Sequence, residues 1–482
     1  MTTAGFWFSA QNARWALFAA SALTLLSGCM VGPDFARPAI PASRHYDVAA
    51  EQRLSREDDN QSASHIDFDK RIDGDWWRVL GSAKLDRTMQ QVVAGNLDLE
   101  AADATIRQAD EAVAAIRGGL ATQVDFGAAG GRHRANGAGG VAVSSLYAVG
   151  PQVSFDFDVF GGTRRKLEEQ VALAELQRHR FDAAYLTVTG NVATQALLLA
   201  SARAQMQAVQ TLLTSDRKNL ELVRTAHRYG SATQVDVALA TSQLAQDETL
   251  LPPLAQQRDI ARHALSVLAG KGPADWLPPD FDLDDFALPA DLPVSLPSEL
   301  ARDRPDILEA EARLHAASAS IGVAIADLYP HLQLSASLSQ AGPAGGTLWA
   351  VATGLAGPIF HGGTLQAHRR ASVDGYAAAM ASYRQIVAAS LGQVADVLQA
   401  INHDGEESAA QDRALDAAST SLRLNQHGYR IGEIGVLQVL DTERTYQHAL
   451  INHIRARTAR YLDAVQLSVA LGGNSGDAFV RT

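Results

Sequence analysis

From Thr163 to Tyr229 the chain reads TRRKLEEQVALAELQRHRFDAAYLTVTGNVATQALLLASARAQMQAVQTLLTSDRKNLELVRTAHRY. It contains no proline and one glycine, Gly190. Taken in sevens, one register runs Leu167, Ala174, Phe181, Val188, Gln195, Ala202, Val209, Asp216, Val223. Its companion runs Val171, Arg178, Tyr185, Val192, Leu199, Met206, Leu213, Leu220, His227. All but Gln195, Asp216, Arg178 and His227 are apolar, the a/d pattern of a helix packed in a supercoil. At about 1.5 Å per residue an unbroken helix here would be roughly 100 Å long, well beyond the span of a compact domain.

A chain of 482 residues could form two or three ordinary domains, but helices of this length point to one elongated body. The net charge is −12 and the basic residues form no run, so no nucleic-acid partner is expected. The acidic balance fits plain solubility, or a lumen that favours cations. Beyond the N-terminus no 18-residue apolar run is found, so no transmembrane helix is expected in the mature chain; a β-barrel leaves a weaker trace. No G-x-S-x-G, H-E-x-x-H, C-x-x-C or P-loop occurs, so neither an enzyme nor a cofactor is expected. The glycines from Gly127 to Gly140 lack the helix start and lysine of a phosphate loop. The 14 histidines are scattered, and His361 with His368 forms no ligand set, so no metal site is expected.

Arg14 is the one charged residue before position 34, and Trp15 to Leu26 is an apolar core of signal-peptide length. Leu26-Ser27-Gly28-Cys29 resembles the lipobox of bacterial lipoproteins. The resemblance implies removal of residues 1–28 and lipidation of Cys29, the sole cysteine. Met30 in place of aspartate implies sorting to the outer membrane. No cysteine remains for a disulfide.

Residues 29–74 carry Pro33, Pro38 and Pro41 and no helical stripe, which predicts extended chain. From 75 to 272 the order is helix, two strands, and a long helical hairpin. Leu85 to Leu120 is helix-forming. Val153, Phe155, Phe157 and Val159 alternate with Gln152, Ser154, Asp156 and Asp158, one apolar face and one polar. Gly130 to Gly140 reads as a flexible loop between strands. The long helix turns at Gly230-Ser231 and returns to about Gly270, with Pro252-Pro253 kinking or breaking the return. Residues 273–297, rich in proline and aspartate, form a connector. The order then recurs over 298–472: helix to Asp327, a strand at Leu332, Leu334, Ala336, Leu338, a loop at Gly342–Thr347, a second strand over Leu348–Phe360, a long helix from Gly362-Gly363, a turn near Gly432 and a return to Gly472. Residues 473–482 form a tail. Phe160-Gly161-Gly162-Thr163 matches Phe360 to Thr364, and Gly230 and Gly270 match Gly432 and Gly472, the fixed spacing of an internal two-fold repeat.

Four amphipathic strands per chain cannot close a barrel alone, and open sheet edges cannot face lipid. Closure must therefore occur between chains. Three copies give twelve strands and four give sixteen; the residues leave both open.

Several motifs carry a family resemblance: Cys29 with Val31-Gly-Pro-Asp-Phe-Ala-Arg-Pro38, Trp76-Trp77, and Arg304-Pro-Asp-Ile307 with Ala310-Glu311, Leu314, Ile321-Gly-Val-Ala324 and Tyr329-Pro330. Tyr429-Arg-Ile-Gly432, Val439-Leu-Asp441 with Arg444, and Ala470-Leu-Gly-Gly473 complete it. Across essentially the whole mature chain these resemble the outer-membrane efflux proteins, the TolC-like channel-tunnels, in the NodT-type lipoprotein branch that serves resistance-nodulation-division pumps. The resemblance implies a mainly α fold with a membrane β-barrel. A homotrimer would close twelve strands, with antiparallel coiled-coil helices forming a periplasmic tunnel and the connector and tail joining an equatorial belt. It implies a passive duct in the outer membrane, lipid-anchored, docked to a periplasmic adaptor and an inner-membrane pump, exporting drugs and small toxic molecules. The same fold could serve type I protein secretion, and a periplasmic adaptor lipoprotein is a further alternative. An adaptor would carry one hairpin, however, and this chain has two.

The resemblance also places the closed state at the hairpin tips, near Gly230, Tyr429 and Gly432, which would meet the adaptor. Leu437 and Asp441, four residues apart on one helix face, correspond to a gate-lining pair, and Asp236 is a candidate in the first tip. Alternatively Asp441 pairs with Arg444, three residues on, and Asp236 is a solvated surface residue. His227 stands where the second tip has Tyr429, and Thr122 where the second half has Pro330.

Overall fold

The computed structural model describes residues 30–39, 43–54, 65–67, 75–137, 140–289, 291–341 and 346–473. The expected signal segment, Cys29 and the tail after Gly473 lie outside them. The described chain divides into two units. Among the described residues, one comprises those within 30–38, Thr105–Arg178 and Glu309–Arg384; the other comprises those within 39–104, His179–Leu308 and 385–473.

In chain order the elements are α1 (Val48–Leu54), β1 (His65–Asp67), α2 (Ala83–Gly95), α3 (Leu97–Gly119), β2 (Gln123–Gly137), β3 (Gly140–Asp156), α4 (Gly162–Arg228), α5 (Gln234–Glu248), α6 (Leu251–Leu268), β4 (Asp291–Pro293), α7 (Pro297–Asp303), α8 (Pro305–Ala326), β5 (His331–Ala341), β6 (Gly346–Ala356), α9 (Thr364–Arg430) and α10 (Val436–Ala470). Short 3₁₀ turns occupy Trp76–Leu80 and Leu283–Asp285. Both long helices, α4 and α9, have 67 residues.

The first unit holds one antiparallel sheet in the order β2-β3-β5-β6, the two halves of the sequence joining at β3–β5. Its register collects the apolar residues on one face. Val124 is opposite Val153, which is opposite Ala336 and, across β6, Val351; Phe155 is opposite Leu334, and Leu338 opposite Trp349. The other face carries Gln123, Ser154 and Ser335 in one row and Asp125, Gln152 and Ser337 in the next. The apolar face is open: Phe126 is 74% exposed and Trp349 77%. Large apolar side chains alternating outward on a sheet are what a lipid-facing barrel wall presents and a soluble sheet conceals. Among the described residues β2 and β6 each have a strand on one side alone.

Three expectations are corrected. Gly130 to Gly137 belongs to β2, with Gly130 paired to Tyr147 and Gly131 to Leu146; these glycines are held in a ladder by partners on β3, which single-residue propensity does not see. The strands also stop earlier than their alternation, at Asp156 and Ala356. Residues 48–54, expected to be extended, form α1, whose Ala50 and Leu54 join a core with Leu292, Leu300, Val397, Leu398 and Leu467.

In the second unit the prolines break the first return as expected: α5 ends at Glu248 and α6 begins at Leu251, with Pro252-Pro253 in its first turn. Helix α4 is long and apolar enough by composition to cross a membrane, but Val192, Leu197, Leu199 and Ala200 are fully buried in this unit. Its one internal glycine has a packing reason. A Cβ on Gly190 would stand 2.8 Å from Val469 Cγ2 on α10, so the missing side chain lets the two helices close. The connector is fixed by charge: Asp280 pairs with Arg203 and Arg262, Asp285 with Lys84, and Asp284 with Arg457.

Candidate functional site: the hairpin tips and the N-terminal strap

The two tips are built alike. After α4, Gly230 takes φ +78°, its N–H donates to His227 O (3.0 Å), and Ser231 N–H donates to Ala226 O (2.9 Å). After α9, Gly432 takes φ +81°, its N–H donates to Tyr429 O (3.1 Å), and Glu433 N–H donates to Gly428 O (2.9 Å). A left-handed glycine closing a helix through paired bonds of this kind satisfies carbonyls that would otherwise be orphaned. The equivalence extends to side chains, since His227 and Tyr429 occupy the same position in the two turns. His227 Nδ1 lies 3.0 Å from Ala232 O, so it fastens its own turn, whereas Tyr429 is half exposed.

Asp236 has a structural task in the first tip. Its Oδ2 accepts from Thr233 N–H (2.7 Å) and from Thr233 Oγ1 (2.7 Å), while Thr233 Oγ1 accepts from Asp236 N–H (3.2 Å). This reciprocal capping box starts α5. The bond from the Thr233 backbone holds the Asp236 carboxyl below the usual aspartate range. In the second tip α10 begins without a side-chain cap. Leu437 is half exposed and Asp441 exposed, one turn apart near the start of α10. Asp441 forms no ion pair among the described residues. Arg444 instead reaches Asp247 of α5, Nε to Oδ2 3.5 Å. Besides Leu437, apolar Tyr229, Val235, Leu239, Leu424 and Ile431 are exposed around the turns.

The first unit shows what the Val31–Pro38 motif does. Val31 N–H donates to Phe160 O (3.2 Å). The Arg165 guanidinium, 1% exposed, donates to Val31 O (3.0 Å), Gly32 O (3.3 Å), Asp34 Oδ1 (2.9 Å) and Glu168 Oε2 (2.6 Å). Phe35 stacks on His315 with centroids 4.4 Å apart, and His315 Nε2 lies 3.0 Å from Glu168 Oε1. Arg37 pairs with Glu311. A strap beginning one residue after Cys29 is thus seated on α4 and α8. In the second unit Arg304 donates to Asp306 (2.9 Å), Ala470 O (2.6 Å) and Gln393 (2.6 Å), so it ties the start of α8 to α9 and α10. The sequence marks these motifs but not Arg165, whose partners Val31, Gly32 and Asp34 lie more than a hundred positions away.

This arrangement has counterparts. The family model described as outer membrane efflux protein matches residues 88–271 and 296–473. The pyoverdine export outer membrane protein OpmQ of Pseudomonas aeruginosa is 31% identical over 414 residues, covering 83% of this chain and 87% of that protein. Nodulation protein T of Rhizobium leguminosarum bv. viciae is 29% identical over 471 residues, covering 93% and 91%. The solved structure of the outer-membrane channel OprN superposes with a TM-score of 0.82 at 26% identity, covering 93% of this chain and 100% of that one.

Proposed function

We infer what this chain does from the family to which it belongs, the outer membrane efflux proteins: it is the outer-membrane channel subunit of a tripartite efflux pump. The observation that carries this reading is the sheet, which combines an exposed apolar face with two strands that, among the described residues, are unpaired on their outer sides. Unpaired backbone groups in hydrocarbon cost several kcal/mol each. The sheet is therefore completed by other copies of the chain, and three copies make a twelve-stranded barrel.

The duct is passive. It docks through its hairpin tips, around Gly230, Tyr429 and Gly432, onto a periplasmic adaptor, which connects it to an inner-membrane pump of the resistance-nodulation-division type. The cargo is drugs or other small toxic molecules, selected by the pump. Leu437 and Asp441, with Asp236 at the first tip, line the periplasmic constriction. In a trimer three Leu437 side chains form an apolar plug and three Asp441 carboxylates an acidic ring that favours cations. Residues 1–28 are removed and Cys29 is lipidated, and the two repeats, 75–272 and 298–472, are joined by the connector 273–297.

The test is single-channel conductance of the purified protein in planar bilayers. A channel subunit gives discrete steps; a periplasmic adaptor gives none, and their absence would overturn this assignment.

A further inference from the structure

Each helical hairpin of the second unit contains a place where two carboxyl groups meet without a donor between them. In the first, Asp216 of α4 and Asp247 of α5 lie on opposite sides of the Gly230 turn at similar separations along the chain. In the second, Asp404 of α9 and Asp463 of α10 flank the Gly432 turn in the same way. In each hairpin the antiparallel return carries one carboxyl of the pair back beside the other; Asp247 strengthens the hold of Asp216 on its proton, and Asp404 that of Asp463. Three of the four side chains are enclosed, Asp216 6% exposed, Asp247 3% and Asp463 6%, while Asp404 is half-buried. Asp247 Oδ2 accepts from Gln243 Nε2 (2.7 Å) and faces Arg444 Nε (3.5 Å). Oδ2 of Asp216 and Oδ2 of Asp463 have no donor.

An ionised carboxylate has acceptors alone. Two of them in contact out of water repel and leave lone pairs unsatisfied, whereas one proton between them turns the contact into a hydrogen bond. The other charges facing Asp216 are Arg444 and Glu443 of α10. The other charge facing Asp463 is Arg460, one turn before it on its own helix. One guanidinium, already engaged by Asp247, does not neutralise the first pair.

We propose that the Asp216–Asp247 and Asp404–Asp463 pairs are proton-held rungs, each fastening the outgoing helix of a hairpin to its return, and that both hairpins loosen as the surrounding solution passes from mildly acidic to alkaline. Burial, then Asp247, pushes the Asp216 carboxyl up to about 6; burial, then Asp404, pushes Asp463 up to about 7. A carboxyl raised in the folded state binds its proton more tightly there than in the opened chain. Its stabilisation is complete below the unfolded value near pH 4 and is lost as pH rises through about 6 for Asp216 and about 7 for Asp463. The inference is independent of what the channel carries.

Hydrogen exchange of the full-length protein in detergent, corrected for intrinsic exchange rates, reads the local opening equilibrium. Between pH 5.5 and pH 8, linkage gives a rise of roughly fourfold around Asp216 and roughly thirtyfold around Asp463. Asp216→Asn should abolish the rise in the first hairpin and leave it in the second; Asp463→Asn should do the converse. Should either variant fail to fold, Asp247→Asn and Asp404→Asn supply the same amide donor from the other side. Wild-type protection that does not change with pH, or asparagine variants that keep the wild-type response, would overturn the proposal.

Discussion

Arg444 Nε lies 3.5 Å from Asp247 Oδ2, and Asp441, three residues earlier on the same helix, is left exposed with no ion pair among the described residues. The i,i+3 bridge that sequence alone permits is therefore not formed, because the guanidinium is drawn into a buried carboxylate pair. At the constriction proposed above, an exposed carboxylate would be available to repel its symmetry mates and attract cations.

Asp441→Ala should accordingly raise conductance several-fold at neutral pH in planar bilayers, and Leu437→Ala should do likewise by removing the apolar plug. If both variants gate like the wild type, the constriction lies elsewhere.

Arg165 anchors the strap from inside the first unit. Arg165→Met removes the donor to Val31, Gly32, Asp34 and Glu168 together and leaves Glu168 without its closest cation, a loss of about 1.5–3 kcal/mol, the range for hydrogen bonds to charged groups. The expected readouts are a lowered thermal midpoint and new protease cleavage within residues 30–37. An unchanged cleavage pattern would show that the strap is held by other contacts.

Gly190 marks the closest helix approach identified above. Gly190→Ala places a methyl 2.8 Å from Val469 Cγ2, and that β-branched side chain is stiff at χ1, so the helices must part slightly at a cost of about 1 kcal/mol; Gly190→Leu should cost more, up to about 3 kcal/mol, by overpacking. Thermal unfolding of the two variants checks the order. A leucine variant as stable as wild type would mean the helices can part there.

Cys29→Ser should abolish metabolic labelling with palmitate while subunits still assemble, since barrel closure rather than the anchor joins them. Finding only monomers in that variant would make the anchor indispensable to assembly.

The elements legible in the sequence are those whose signal is local and periodic. The heptad registers of α4, the alternation through Leu332 to Leu338, the proline break before α6 and the glycines at 230 and 432 each state their own geometry. Where partners are distant, the local signal misleads or is silent. Gly130 and Gly131 read as loop because nothing near them reveals Tyr147 and Leu146 as ladder partners. Asp216 looked like an ordinary interruption of a heptad, yet it faces Asp247 across the hairpin. Arg165 is one basic residue among three in the sequence, and its strap partner Asp34 lies 131 positions away. Asp236, a candidate for the gate, carries the local signature of a capping box with Thr233, which could have been read from the sequence.

The central claim is that one chain's sheet is incomplete and is closed by its own kind. Native mass spectrometry of detergent-solubilised protein counts the chains directly. The expected result is three copies per particle, giving twelve strands. A monomeric particle with no higher species would contradict it and remove the basis for both the pore and the gate at its tips.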